Sequence, residues 1–314
     1  MSAILESLNR RAAGWSVMAD TLKAQLDRAR WTTFGLSISG ALVATIASQL
    51  PDSQTGQSSI RIYVAIGGAA LLGGATFISQ RLLTTSETKA WVRARAASEA
   101  LKREAFKFAA RAAPYHDPAT AETALNAERE KIESDIDNLI GRQVEPTRKS
   151  SAPLQYLTHD QYRESRVRDQ ALKFYRPRAQ RYSEIAARLR KAEFVLALGA
   201  TLTTVVAAAV GKAHLGGEIR FDLAALTAVL TTVAGAVLSH MEASRYDHLV
   251  TTYRATARRL EDADSGFEDK TDQEWSQFVN ACEDIIAMEN NSWLAKWTTD
   301  GKKAARAPRP SRAP

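Results

Sequence analysis

The sequence predicts an all-α integral membrane protein: two transmembrane helical hairpins, four spans in all, with cytoplasmic helical and coiled-coil extensions. Three observations predict it. Four long stretches lack any charged side chain, basic residues crowd the same ends of all four, and the pattern occurs twice within 314 residues.

The four stretches are 31–50 (WTTFGLSISGALVATIASQL), Ile62 to Gln80, Phe194 to Gly211 and Leu223 to Met241, each 18 to 20 residues long. At about 1.5 Å of rise per residue, roughly 20 residues cross a hydrocarbon core of about 30 Å. Many positions are Gly, Ala, Ser or Thr, and the Leu, Ile, Val and Phe among them each add only a few tenths of a kcal/mol to insertion. A soluble bundle with the four runs buried inside it is therefore the competing reading. Overall composition, 45% hydrophobic and 25% charged, is that of an ordinary soluble protein. That average hides a segregation, because charge is dense between the runs, as in RARAASEALKREAFKFAAR at 93–111.

Orientation follows from the flanks, since cytoplasmic segments carry the Lys and Arg excess. Arg10, Arg11, Lys23, Arg28 and Arg30 precede the first span, and Arg81, Lys89, Arg93 and Arg95 follow the second. Arg188, Arg190 and Lys191 precede the third, and Arg245, Arg254, Arg258 and Arg259 follow the fourth. The connectors 51–61 and 212–222 are formally neutral and read as outside turns. Both termini are thus expected in the cytoplasm of a multi-pass membrane protein. The single cysteine, Cys282, excludes an internal disulfide and fits a reducing compartment. No cleavable signal peptide is visible, so the first span is expected to act as its own insertion signal.

Spans one and three begin 163 residues apart and spans two and four 161 apart, so the halves share a plan. Behind the hairpins, Arg95, Ala96 and Leu101 match Arg254, Ala255 and Leu260. Trp91, Ala94, Ser98, Leu101, Ala105 and Phe108 step by three and four, as do Tyr246, Val250, Tyr253, Ala257 and Leu260, which reads as a coiled-coil seam. A helix is expected over 117–140 from Asp117-Pro118, and another over 271–297 from a Thr271-x-x-Glu274 capping box. Trp275, Phe278, Cys282, Ile285, Met288 and Trp293 give the latter a core face. Thr158 and Gln161 open a long approach helix to span three, which Pro177 should kink. The expected organisation is a two-span unit at 1–140, a linker at 141–153, a second two-span unit at 154–299 and a disordered basic tail at 300–314.

Small residues recur at every fourth position: Gly40, Ala44, Ser48 in span one; Ala65, Ala69, Gly73 in span two; Ala200, Thr204, Ala208 in span three; Thr227, Thr231, Gly235 in span four. In lipid such spacing lets backbones approach closely. The same faces, with Thr203, are candidates to line a water-filled path in an oligomer. No Asp, Glu, Lys or Arg lies inside a span, which argues against a proton-coupled transporter. His240 and Gln80 close the cytoplasmic ends of spans four and two; His240 reads as a snorkelling or capping residue, or as a titrating gate.

Nothing in the sequence points to an enzyme, a metal site or a cofactor. The five histidines are scattered, the glycine-rich 67–74 lies inside a span without a phosphate-loop ending, and no nucleophile elbow is present. The acidic EDADSGFED at 261–269 lacks calcium-loop spacing and reads as a solvated turn. The tail's Lys302, Lys303, Arg306, Arg309 and Arg312 suit anionic lipid; without interleaved aromatics they make no case for a specific nucleic acid.

The approach segment DQYRESRVRDQALKFYRPRAQRYSEIAARLRKAEFVLALG, with Tyr162, Tyr175 and Tyr182 among its arginines, and YDHLVTTYRATARRLED behind the second hairpin resemble the SLATT family, the SMODS- and SLOG-associating two-transmembrane effector domain. The first half, with AWVRARAASEALKREAFKF behind its hairpin, resembles a more divergent tandem copy. The resemblance implies a pore-forming or membrane-perturbing effector of bacterial conflict and antiviral defence, acting in the lipid bilayer as a homo-oligomer. Its trigger would come from a nucleotide-signal sensor or synthase encoded nearby. A non-conducting membrane scaffold that recruits partners through its cytoplasmic helices is the alternative.

Overall fold

The computed structural model describes residues 2–50, 60–142, 146, 150–210, 213–214, 220–221, 223–268 and 271–306. These residues are overwhelmingly helical: α1 Ala3–Gln49, α2 Ile60–Leu82, α3 Thr85–Ala109, α4 Ala121–Ser134, α5 His159–Tyr162, α6 Arg176–Val210, α7 Leu223–Ser244, α8 Tyr246–Ser265 and α9 Asp272–Arg306. The exception is in the second connector, where Ala213–His214 pairs antiparallel with Arg220–Phe221.

In space the chain forms two compact units, each drawing on both halves of the sequence. One comprises 1–24, 85–180 and 250–314 and is here the helical unit; the other comprises 25–84 and 181–249 and is the hairpin unit.

The hairpin unit settles the choice between lipid and a soluble core. Four helices are long and apolar enough to cross a membrane, yet only 6% to 22% of each apolar stretch is buried. Phe77 (67% exposed), Phe194 (63%) and Val205 (61%) project outward. A soluble bundle would bury these side chains, whereas here the apolar faces form a surface suited to acyl chains.

The first hairpin closes by backbone contact. A Cβ added at Gly68 of α2 would lie 3.0 Å from the backbone nitrogen of Ala44 and 3.3 Å from the carbonyl oxygen of Gly40. At Gly40 an added Cβ would meet the Leu72 side chain at 2.8 Å. The contact stripe of span two is therefore Gly68, Leu72 and Ala75. The expected face was Ala65, Ala69 and Gly73, but Ala65 and Ala69 are exposed and nothing lies within 4 Å of a Cβ at Gly73. On α1, Gly40, Ala41 and Ala47 are buried and Ser48 is exposed. The register of span two is set by where a glycine must admit another backbone, and the fourfold spacing of small residues did not reveal which glycine that is.

In the helical unit, α3 packs most extensively on α9 and next on α4. The whole predicted seam of α3, from Trp91 to Phe108, is buried, as are Tyr253, Ala257 and Leu260 behind the second hairpin. From α1 come Leu5, Leu8, Ala12 and Trp15. Thr158 caps the approach helix as expected: its hydroxyl accepts from the Gln161 amide at 3.2 Å while the Gln161 side chain accepts from the Thr158 amide at 3.0 Å. Pro177 sits in the first turn of α6, and the approach segment ahead of it holds two π-helical stretches, Arg163–Arg168 and Gln170–Tyr175. Widened turns bring Tyr162, Arg166, Ala171 and Tyr175, spaced by four and five, onto one buried face.

Other expectations are corrected. The helix predicted over 117–140 begins at Ala121, because Asp117 turns back to accept from the Ala119 amide and the Thr120 hydroxyl; α4 ends at Ser134 and a 3-10 turn follows at Asp137–Arg142. Thr271 accepts from the Glu274 amide, but its hydroxyl donates to Glu274, so the return bond to the Thr271 backbone is replaced. Helix α9 runs to Arg306, so residues 301–306 of the basic tail continue a helix where disorder was expected. The remaining tail residues and the first connector lie outside the described residues.

The glycine crossing yields a prediction. Gly68→Ile should destabilise the first hairpin by about 1–3 kcal/mol through overpacking against backbone. Gly73→Ile, which meets open space, should stay within about 0.5 kcal/mol of wild type. Denaturant unfolding of the full chain in detergent measures both, and equal losses would displace the crossing from Gly68.

Candidate functional site

Two features rise above packing, one in each unit. In the hairpin unit, α6 and α7 are parted by a groove of roughly 420 Å³. Its walls include Ala200 and Thr204 on one helix and Thr227, Thr231 and Gly235 on the other, with Glu193 at one end. Five of the residues singled out in spans three and four thus share one groove: Ala200, Thr204, Thr227, Thr231 and Gly235. Thr203 does not line it, and donates to the Gly199 carbonyl at 2.7 Å.

The groove's polarity is muted. Thr204 donates to Ala200 (2.8 Å), Thr227 to Leu223 (3.2 Å) and Thr231 to Thr227 (2.9 Å), each to the carbonyl one turn back on its own helix. Hydroxyls satisfied in this way tolerate an apolar neighbour, because each donor is already bonded. What the groove presents is small side chains, acceptor oxygens and one carboxylate. On the basic-flank side of α7, His240 neither snorkels nor caps: it is buried, with ring centroids 4.4 Å from Trp31 and 4.8 Å from Phe34.

In the helical unit, charge is buried outright. Arg166 and Glu283, each 1% exposed, form a two-pronged pair, Nε to Oε1 at 2.8 Å and Nη2 to Oε2 at 2.7 Å. Tyr162 donates to the same carboxylate at 3.0 Å, and the guanidinium lies 4.4 Å from the Phe106 ring centroid. Burial works against the charge of Arg166, and the Glu283 carboxylate more than offsets it, holding the group above its ordinary value. Nearby, Arg95 bonds Glu289 at 3.3 Å. Arg166 Nη1 makes no hydrogen bond to the protein, and Arg166 is one of the residues lining a cavity of about 50 Å³ between α3 and α9, with Glu99 and Ala287. Burial would raise Glu99, but Lys102, Arg166 and Arg95 prevail and push it down to about 2.

The sequence placed none of this ionic core. On α9 it assigned Met288 to the core, yet Met288 is 57% exposed and the buried face runs through Val279, Glu283, Ile286 and Glu289; the Trp293 side chain lies outside the described residues. The acidic cluster is no solvated turn either. Asp264 ends α8 by accepting from Arg163 and Arg168, both at 2.7 Å, Glu261 pairs with Arg176, and Phe267 stacks on Phe278 at 4.2 Å. Cys282 is buried, which pushes its thiol up to about 12 and leaves it unreactive.

Two predictions follow from the ionic core. Glu283→Gln should cost about 3–5 kcal/mol by stranding the Arg166 charge, while Arg166→Met with Glu283→Leu should recover most of that loss; a double-mutant cycle by denaturant unfolding reads the coupling. Because Glu99 is depressed in the folded state, its stabilising contribution is complete above the unfolded value near 4.5 and is lost as pH falls towards about 2. Thermal unfolding between pH 7 and 3 should fall more steeply for wild type than for Glu99→Gln, and parallel curves would refute it.

Comparison with known families bears on both halves. Residues 162–293 match the SMODS and SLOG-associating 2TM effector domain 1, SLATT_1, a stretch that takes in the approach helix, the grooved hairpin, α8 and much of α9. Residues 13–123 match a family described as protein of unknown function, DUF4231. No curated protein and no solved structure matches the chain. The chain thus carries four helices long and apolar enough to cross a membrane, and the stretch 162–293, with its grooved hairpin and ion-paired helices, is similar to the SLATT two-transmembrane effector domain.

Proposed function

We propose that this protein is a membrane effector of a bacterial conflict or antiviral system that oligomerises and permeabilises the inner membrane on a signal. Its termini lie in the cytoplasm, on the side of the basic flanks. The observation that carries the reading is the asymmetry of the hairpins. The first is closed by backbone contact at Gly68, while the one inside the effector-domain match keeps a threonine-lined groove open along α6 and α7. Such a face is available to rearrange.

The two halves are read as tandem copies of one plan. In each, a long helix enters the membrane, a second returns, and two further helices pack in the helical unit, with the unit boundaries falling at corresponding places. The ionic core is the proposed point of control, where a partner that senses or makes a nucleotide signal would act. No catalytic step is assigned to the chain.

The test is the membrane potential of bacterial cells, followed with a voltage-sensitive dye while wild type and a Thr231→Leu, Gly235→Leu double variant are induced to equal membrane levels. A Cβ at Gly235 meets nothing within 4 Å, so a side chain there starts into the open groove. Wild type should depolarise the cells and the variant should not. Depolarisation by both would separate the leak from this groove, and a maintained potential under wild type together with partner capture would favour a non-conducting scaffold.

A further inference from the structure

We infer that the α6–α7 groove is a binding site for one phospholipid of the leaflet on the basic-flank side, with an acyl chain lying along the groove and a primary ammonium headgroup at Glu193. The inference rests on the membrane reading of the spans and goes beyond the proposed leak.

Length is the first argument. Along α6 the groove runs from Glu193 to Thr204 and along α7 from Leu238 to Thr227, in each case about 16 Å at 1.5 Å per residue. That is on the order of half of a 30 Å hydrocarbon core, the depth reached by one leaflet's chains.

Lining is the second. Away from Glu193 the walls are Ala, Leu, Gly and Thr, and the threonine donors are bonded to their own helices. A chain of water would find few donors there, whereas a hydrocarbon chain strands none.

Charge is the third. Glu193 is the groove's one ionisable residue, half-buried at the membrane end where α6 enters from the basic flank. No ion pair of the described residues engages it. A carboxylate at headgroup depth is complementary to an ammonium that can donate hydrogen bonds. Phosphatidylethanolamine supplies one, the trimethylated ammonium of phosphatidylcholine has no N–H to donate, and phosphatidylglycerol brings a negative charge without a cation.

The test is native mass spectrometry of the purified full-length protein in detergent, supplied with phosphatidylethanolamine, phosphatidylcholine or phosphatidylglycerol of identical acyl chains. Wild type should retain one phosphatidylethanolamine per chain, several-fold over the other two. Glu193→Gln, nearly isosteric, should lower it to the phosphatidylcholine level, and Thr231→Leu with Gly235→Leu should reduce retention of all three. Equal retention of the three lipids by wild type, or a preference that survives either variant, would overturn the assignment. So would interchain disulfide formation by a Thr231→Cys variant in membranes, which would place a second copy in the groove. These readouts are independent of membrane potential, so a protein that binds the lipid without leaking refutes the proposed function alone.

Discussion

Within a bilayer apolar surface gives helices no reason to meet, because lipid tails are as apolar as leucine. Everything in the hairpin unit follows from that constraint. Backbone groups must be satisfied within each helix, threonine hydroxyls fold back onto their own carbonyls, and association depends on how closely two backbones can approach. Gly68 against Gly40 and Ala44 is such an approach. The second hairpin has its nearest counterpart at Gly199, where an added Cβ would reach Leu230 at 3.6 Å, an ordinary van der Waals distance. A looser crossing leaves room between helices, and the groove is that room.

The helical unit solves a different problem. Water is available to its surface, so apolar burial drives the packing of α3, α8 and α9, and the questions become which helices pair and in what register. Ion pairs answer them. Glu283 of α9 accepts from both Tyr162 and Arg166 on the approach helix, and Arg166 in turn covers Phe106 of α3. A one-turn slip of α9 would strand a carboxylate and a guanidinium together, at a cost well above that of shifting a leucine. The buried pair therefore specifies an arrangement more than it adds net stability. The clasp of Asp264 by Arg163 and Arg168 repeats the device at the surface, where solvent weakens it.

The features legible in the sequence were those written in a single period. The four spans, the caps at Thr158 and Thr271 and the seam from Trp91 to Phe108 each depend on residues within a few positions of one another. The ionic core was not legible because Glu283 and Arg166 are 117 positions apart, and no pattern of hydrophobicity marks an acid as buried. The inner face of the approach segment was missed for a related reason. Tyr162, Arg166, Ala171 and Tyr175 follow the wider turn of a π-helix, and a 3.6-residue template scatters them. In the candidate site, Thr204, Thr227 and Thr231 share the groove while Thr203 lies outside it and Thr201 was not singled out, because the spacing of threonines along a helix is written in the sequence and which of them face the neighbouring helix is not. The sequence could not distinguish Gly68 from Gly73, because both lie in the same glycine-rich stretch and only the partner helix separates them.

That last distinction bears on how a duplicated plan can yield two different hairpins. Closure needs a glycine on one helix opposite a small residue on the other, at a depth where both backbones can touch. Span two holds four glycines, two of them adjacent at the crossing, and one is certain to face span one whatever the rotation. Span four holds a single glycine, Gly235, and it points into open space. On its groove face stand Thr227 and Thr231, whose hydroxyls are bonded to carbonyls of their own helix. Within a shared topology, the hairpin whose glycine meets the facing backbone is closed, and the one whose facing stripe carries threonine keeps an accessible interior face.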